Sequence, residues 1–166
     1  MNIQEIIPIQ TNKQKVRIKK TYVKPDSVKQ LEQDYFSWKY KDSVIPDNCR
    51  FITKFRDDAS NGLTKCLQAW SKINGAHFQR MNTTGIFDYK IGKYRHSGST
   101  KGVTDTLIIY NGIVFNIEIK IGKDKQSEKQ LAMQKSIESA GGIYIIIKNY
   151  NDFLLKIKNY EYDQNS

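Results

Sequence analysis

Residues 103–120, VTDTLIIYNGIVFNIEIK, decide the fold. Two runs rich in β-branched and apolar side chains, VTDTLIIY (103–110) and IVFNIEIKI (113–121), flank Asn111-Gly112. An Asn-Gly pair supplies the two positive-φ positions of a type I′ turn and is the strongest short-range signal for a two-residue hairpin. With these as the loop, Tyr110 lies opposite Ile113, and counting outward sets Asp105 opposite Glu118. Opposed side chains in a hairpin have Cβ atoms roughly 4.5–5.5 Å apart, and like charges there are destabilising. A divalent cation offsets that repulsion, because Mg²⁺ prefers carboxylate and water oxygens and is commonly held by one or two protein carboxylates plus substrate phosphate. Side chains alternate along a strand, so Lys120 shares the face of Glu118 while Ile119 points away. Both strands are otherwise apolar on much of both faces, the pattern of a covered central sheet, where unpaired charge is costly. An isolated E-x-K is usually an exposed edge feature; the third group in register points instead to a site.

Such a set suits phosphodiester hydrolysis. A cation polarises the scissile phosphate and lowers the pKa of a bound water, while Lys120 can orient that water or stabilise charge on phosphorus. No histidine or cysteine nucleophile is required. His77, on a strand, reads as a packed core residue, and His96, in a basic stretch, as at most a phosphate contact.

Outward from the hairpin, residues 123–142 hold good helix formers with apolar Leu131, Ile137 and Ala140 and a glycine stop, so they predict a helix. The continuous apolar run 143–148 predicts a buried strand, and 152–160 a short terminal helix. Upstream, Leu63, Leu67 and Trp70 recur at helical spacing over 58–73 and end at Asn74-Gly75. The alternating stretch 76–85 predicts a strand closing at Gly85, and 89–101, with Gly92, Gly98 and several polar residues, a basic loop. Pro25-Asp26-Ser27 opens a further helix, with Val28, Leu31, Tyr35 and Trp38 at helical spacing, and Val16 and Ile18 alternate with basic residues in a strand-like pattern. The expected class is therefore α/β: a central mixed β-sheet flanked by helices, an αβββαβ core over residues 57–166, preceded by a basic N-terminal extension with one helix (residues 1–56).

The chain of 166 residues carries 27 Lys+Arg against 17 Asp+Glu, a net charge of +10. That balance favours a polyanionic partner, nucleic acid or an acidic membrane surface. The excess is uneven, with seven basic and two acidic residues in the first 30. An 11% aromatic content argues for a folded protein rather than a basic tail. Cys49 and Cys66 form no CxxC pair, which excludes a disulfide framework and a cysteine-based zinc site. No signal-peptide pattern and no apolar run of membrane length are present, so the expectation is a cytoplasmic protein with no membrane partner.

Taken together, Gly102-Val103-Thr104-Asp105, Ile117-Glu118-Ile119-Lys120, Ser127-x-x-Gln130 and Ala140-Gly141-Gly142 before an apolar strand resemble the VRR-NUC branch of the PD-(D/E)XK nucleases, a superfamily that includes Holliday junction resolvase-type enzymes. There the pattern is G-V-P-D, E-V/L-K, a glutamine opening the next helix and a helix-ending glycine. The resemblance spans about residues 60–158. It implies Mg²⁺ or Mn²⁺ dependence and DNA as substrate, branched or flapped forms included. Asp105 and Glu118 would be metal ligands, with the Ile119 backbone carbonyl a third, Lys120 the catalytic lysine and Gln130 an active-site polar residue. Arg80 and Asn82 match polar positions near such sites, and Arg95, Lys101 and Lys123 are the expected DNA-contacting cations. Structure-specific nucleases of this fold often act as homodimers, an expectation that rests on the resemblance alone. Two departures stand out: Thr104 replaces the usual proline, and the glutamate of the first core helix is replaced by Thr64, with Asn61 one turn earlier. One metal is therefore expected rather than two. The leading function is a metal-dependent DNA endonuclease in repair, recombination or mobile-element biology. The competing one is a catalytically weak or inactive nucleic-acid-binding module on the same fold.

Overall fold

Asn111 (φ 49°) and Gly112 (φ 77°) are both left-handed, and Tyr110 pairs with Ile113 across the turn they make. The computed structural model describes residues 21–81, 86–95 and 102–164. Among these the chain runs through α1 (Asp26–Tyr40), a 3-10 turn (Asp47–Cys49), α2 (Ser60–Ile73), β1 (His77–Arg80), β2 (Ile86–Asp88), β3 (Lys93–Arg95), β4 (Thr106–Tyr110), β5 (Ile113–Ile119), α3 (Glu128–Ser139), β6 (Ile143–Ile147) and α4 (Tyr150–Gln164). The main sheet has the order β1-β4-β5-β6. Its first two pairings are antiparallel and the β5–β6 pairing is parallel. A parallel pair needs a crossover connection, which α3 supplies. A mixed sheet flanked by helices results.

Alternation assigns the two faces of the sheet. Ile108, Phe115, Ile117, Ile119, Ile145 and Ile147 are buried in one core with Leu63, Leu67 and Trp70 of α2, Val28 and Leu31 of α1, and Phe153 and Ile157 of α4. Trp70 sits edge-on to both Tyr110 and Phe153, with ring centroids 5.0 and 4.9 Å away. Residues from α1 and Phe55 thus share a core with the sheet.

Buried carboxylates bind these layers together. Asp57 accepts from the Tyr22 hydroxyl at 2.8 Å and from the Tyr150 N–H at 3.1 Å, joining three distant segments. Glu32, on α1, accepts from the Phe55 N–H at 2.7 Å and from the Lys24 ammonium. Burial pushes the Glu32 carboxyl up, but the hydrogen bonds from Lys24 and Phe55 outweigh it and hold the group below its ordinary value. A depressed folded pKa contributes stability above the unfolded value, 4.5, and loses it as pH falls through the lower folded one. Glu32→Ala should therefore cost about 1.5–3 kcal/mol near neutral pH, the size of a charge-assisted hydrogen bond. Chemical denaturation at several pH values checks this, with the deficit shrinking only below pH 4.5.

Several expectations need correction. The segment read as a basic loop holds the turn and second strand of a hairpin, in which β3 pairs with the preceding β2 and Phe87 lies opposite Tyr94. Three-residue strands are too short for alternation to register, and Gly92 (φ 63°) belongs to their turn. Strand β1 covers only part of the stretch expected. His77 is exposed rather than packed in the core, because β1 is an edge strand whose alternation turns Phe78 inward and His77 outward. The second face of the sheet is thinly covered: α3 has no buried residue, and Leu131, Ile109 and Val114 are exposed. Helix α4 is longer than expected at both ends. The Val16–Ile18 pattern, Asn82, the Gly85 stop, His96 and Lys101 lie outside the described residues. No helix among the described residues is long and apolar enough to cross a membrane.

Candidate metal and active site

The β4–β5 ladder runs from Tyr110–Ile113 to Thr106–Ile117, the register counted from the turn. Asp105 stands one residue beyond its end. There the Asp105 carbonyl accepts from the Met81 N–H at 2.9 Å, and its side-chain Oδ2 accepts from the Ile119 N–H at 2.8 Å. The carboxylate is thus tied to β5 one residue past Glu118 and leaves its other oxygen for further work.

Glu118 is 0% exposed. Its Oε1 takes the Lys120 ammonium at 2.9 Å and the Gln130 side-chain amide. Oε2 is buried with no hydrogen-bond partner among the described residues. Burial pushes the Glu118 carboxyl above its usual range; the Lys120 hydrogen bond opposes this and the Asp105 charge adds to it. A buried carboxylate oxygen without a partner is costly, and here it lies beside a second carboxylate whose field disfavours its ionisation.

Lys120 is 7% exposed. Its Nζ reaches Glu118, Gln130 Oε1 at 3.0 Å and Asp124 at 3.5 Å. Burial works against the charged lysine, but the Glu118 and Asp124 carboxylates outweigh it and hold the ammonium above the ordinary range. The lysine is therefore a fixed cation rather than a base.

Gln130 owes its place to a helix cap. Ser127 Oγ accepts from the Gln130 N–H at 3.3 Å, and Gln130 Oε1 accepts from the Ser127 N–H at 2.9 Å, a reciprocal capping box. The side chain thus held also bridges Lys120 and Glu118. Gly102 (φ 88°) seats this helix end: a Cβ there would come within 2.5 Å of the Lys129 carbonyl oxygen and 3.1 Å of the Gln130 nitrogen. Gly102→Ala should lower stability by more than about 1 kcal/mol, since both its φ and the contact are incompatible with a side chain. Thermal melts read that loss directly.

The remaining candidates separate. Arg80, exposed at the end of β1 opposite Thr106, donates to Asn61 Oδ1 at 2.8 Å. Thr64 turns its hydroxyl back onto the Ser60 carbonyl at 2.8 Å. Asn61 and Thr64 thus each have a hydrogen-bond partner outside Asp105, Glu118 and Lys120. Lys123 is exposed in the turn between β5 and α3. Of Arg95 only the backbone is described, as the last residue of β3. Ile119 buries its side chain in the core, so its carbonyl is what it can offer a cation.

Two neighbours escaped the sequence. Asp124 touches Lys120 from the turn after β5. Tyr144 lies on the Glu118 face of β6, its hydroxyl 3.4 Å from Gln126 Nε2 and pushed up to about 12 by burial and the Glu118 charge. The parallel register that sets Asn116 beside Tyr144 and Glu118 beside Ile146 has no local signature.

The donors available to a hard cation are all oxygens: Glu118 Oε2, which has no hydrogen-bond partner among the described residues, the second Asp105 carboxylate oxygen and a backbone carbonyl. The carboxylates number two, and no group of three His, Cys, Asp or Glu able to hold a metal is found among the described residues. In comparisons with protein-family models, curated proteins and solved structures, none matches the chain.

Proposed function

We propose that the chain is a Mg²⁺- or Mn²⁺-dependent deoxyribonuclease that hydrolyses phosphodiester bonds through a one-metal site at Asp105, Glu118 and the Ile119 carbonyl. The observation that carries this is the fully buried Glu118 carboxylate with Oε2 left unpartnered beside Asp105. Neutralising that oxygen is what a resident cation would do, and a net charge of +10 suits a polyanionic substrate.

Bound there, a divalent ion supplies Lewis-acid polarisation of the phosphate and a more acidic water. The protein's own groups supply the rest. Asp105, clamped by the Ile119 N–H, keeps its free oxygen in a fixed direction. Lys120, held charged between Glu118, Gln130 and Asp124, presents a positive charge that stabilises the developing phosphorane oxygens and orients the attacking water. Gln130, locked by its capping box, keeps the Glu118 and Lys120 heads in place. These groups need no rearrangement to act, which is the condition under which electrostatic stabilisation lowers a barrier most.

A weak or inactive nucleic-acid-binding module on this fold is the second reading. One observation favours it: only two carboxylates face the proposed cation, and the first core helix adds none. A panel of linear duplex, single-stranded, flapped and four-way DNA with Mg²⁺, Mn²⁺ or chelator separates the two. Metal-dependent cutting of any member is expected; binding without cutting under every condition establishes the module instead.

A further inference from the structure

The β2–β3 hairpin is an exposed aromatic element with no part in the site so far described. Phe87 and Tyr94 are cross-strand partners. Their ring centroids lie 5.1 Å apart, and Tyr89 packs edge-on to the same Phe87 ring at 5.2 Å. Phe87 is the hub, with each tyrosine braced against it. Yet Tyr89 is 90% exposed and Tyr94 71%. Ile91, in the turn, is exposed as well. Contiguous exposed apolar side chains mark an interaction surface.

Its charge and position narrow the partner. Lys90 and Lys93 are exposed beside these rings, and the Asp88 carboxylate accepts the Lys90 N–H at 2.8 Å. Rings interleaved with cations are the arrangement that holds unpaired nucleotides: bases stack on the aromatic faces and lysines meet the phosphates. The nearest described residues on either side of the hairpin lie at the site. Met81, five residues before Ile86, donates to the Asp105 carbonyl, and Gly102, seven after Arg95, lies against Lys129 and Gln130. Five residues span at most about 18 Å, so β2 begins within about half a turn of duplex DNA from Asp105.

The geometry points to the β2–β3 hairpin as a stacking platform for unpaired DNA bases, with Tyr89 and Tyr94 the contact surfaces, directing the site toward junctions between duplex and single strand. This deepens the nuclease reading and rests on it for the word "directing"; the stacking itself does not depend on cleavage. Tyrosine rings braced in advance lose little freedom on contact, so each stacked base adds affinity without a compensating ordering cost.

The test is binding in chelator, where nothing is cut. Fluorescence anisotropy compares a duplex carrying a single-stranded thymine tail with the same duplex made blunt. For the tailed DNA the Tyr89→Ala/Tyr94→Ala double variant should bind more weakly than wild type by about 5- to 150-fold for each stacked base lost. For the blunt duplex its affinity should be unchanged. Tyr89→Phe/Tyr94→Phe should retain the tailed-DNA affinity, because phenylalanine stacks equally well. Both tyrosines are exposed, so melting temperatures should match wild type. Equal losses on tailed and blunt DNA, no loss on either, or failure of the phenylalanine variant to retain binding overturns the platform. If wild type shows this binding pattern yet cuts nothing when metal is restored, the nuclease reading fails and the platform stands.

Discussion

Asp105→Asn and Lys120→Gln should each reduce metal-dependent DNA cleavage by at least about 100-fold, the usual effect of removing one preorganised transition-state contact. DNA affinity should be unchanged or slightly higher for Asp105→Asn, which removes a negative charge that faces phosphate. Asparagine can still accept the Ile119 N–H through its amide oxygen, so the bond measured at 2.8 Å survives and the loss is one of charge rather than of shape. Glutamine at 120 can still donate to Glu118 but carries no charge. Lys120→Ala is a different experiment. It leaves Glu118 buried without its cation, and breaking a buried pair in this way costs about 3–5 kcal/mol. Cleavage at matched folded fractions, with melting recorded in parallel, separates the chemical effect from the structural one. Retention of more than a tenth of wild-type activity by Asp105→Asn would remove it from the site.

The second large effect is thermal. An ion that binds the folded chain at a hundredfold excess over its Kd adds about 2.7 kcal/mol, which for a domain of this size raises Tm by about 5–11 °C. Mn²⁺ should produce a shift of that order in the wild type, because it would neutralise the Glu118 oxygen that has no hydrogen-bond partner among the described residues. Glu118→Gln should abolish the shift, and cleavage with it. Differential scanning fluorimetry of chelator-treated protein, titrated with Mn²⁺, gives the comparison without any DNA. An equal shift in both proteins would place the ion elsewhere.

How much of this was legible in the sequence depends on how local each feature is. Asn111-Gly112 fixes its turn by φ requirements alone, and once the turn is set, counting gives the register of β4 on β5 and the shared face of Glu118 and Lys120. Gln130 is marked in the sequence by the motif alone; the capping box with Ser127 that holds it emerges in the structure. The ladder's end was not. Asp105 falls just past it and reaches the Ile119 N–H rather than lying squarely across from Glu118, because strand ends are set by the neighbouring β1 and its Met81 as much as by the hairpin. His77 was misjudged for a related reason: strand position in the sheet, edge or centre, is decided by partners far along the chain. The ties of Asp57 to Tyr22 and Tyr150, and the approach of Tyr144 to the Glu118 face, are of the same long-range kind. The β2–β3 hairpin escaped because three-residue strands among glycines and polar residues carry too little periodicity to stand out. Helix α3 is legible as an element but not in its packing. It forms as the helix formers and glycine stop predict, but it has no buried residue and exposes Leu131.

The central claim is that Asp105 and Glu118 hold one divalent cation between them. Titration of chelator-treated protein with Mn²⁺, following free Mn²⁺ by electron paramagnetic resonance, tests it most directly. One ion per chain is expected, weakened in Asp105→Asn and absent in Glu118→Gln. No binding by the wild type, or binding that Glu118→Gln leaves intact, would contradict it.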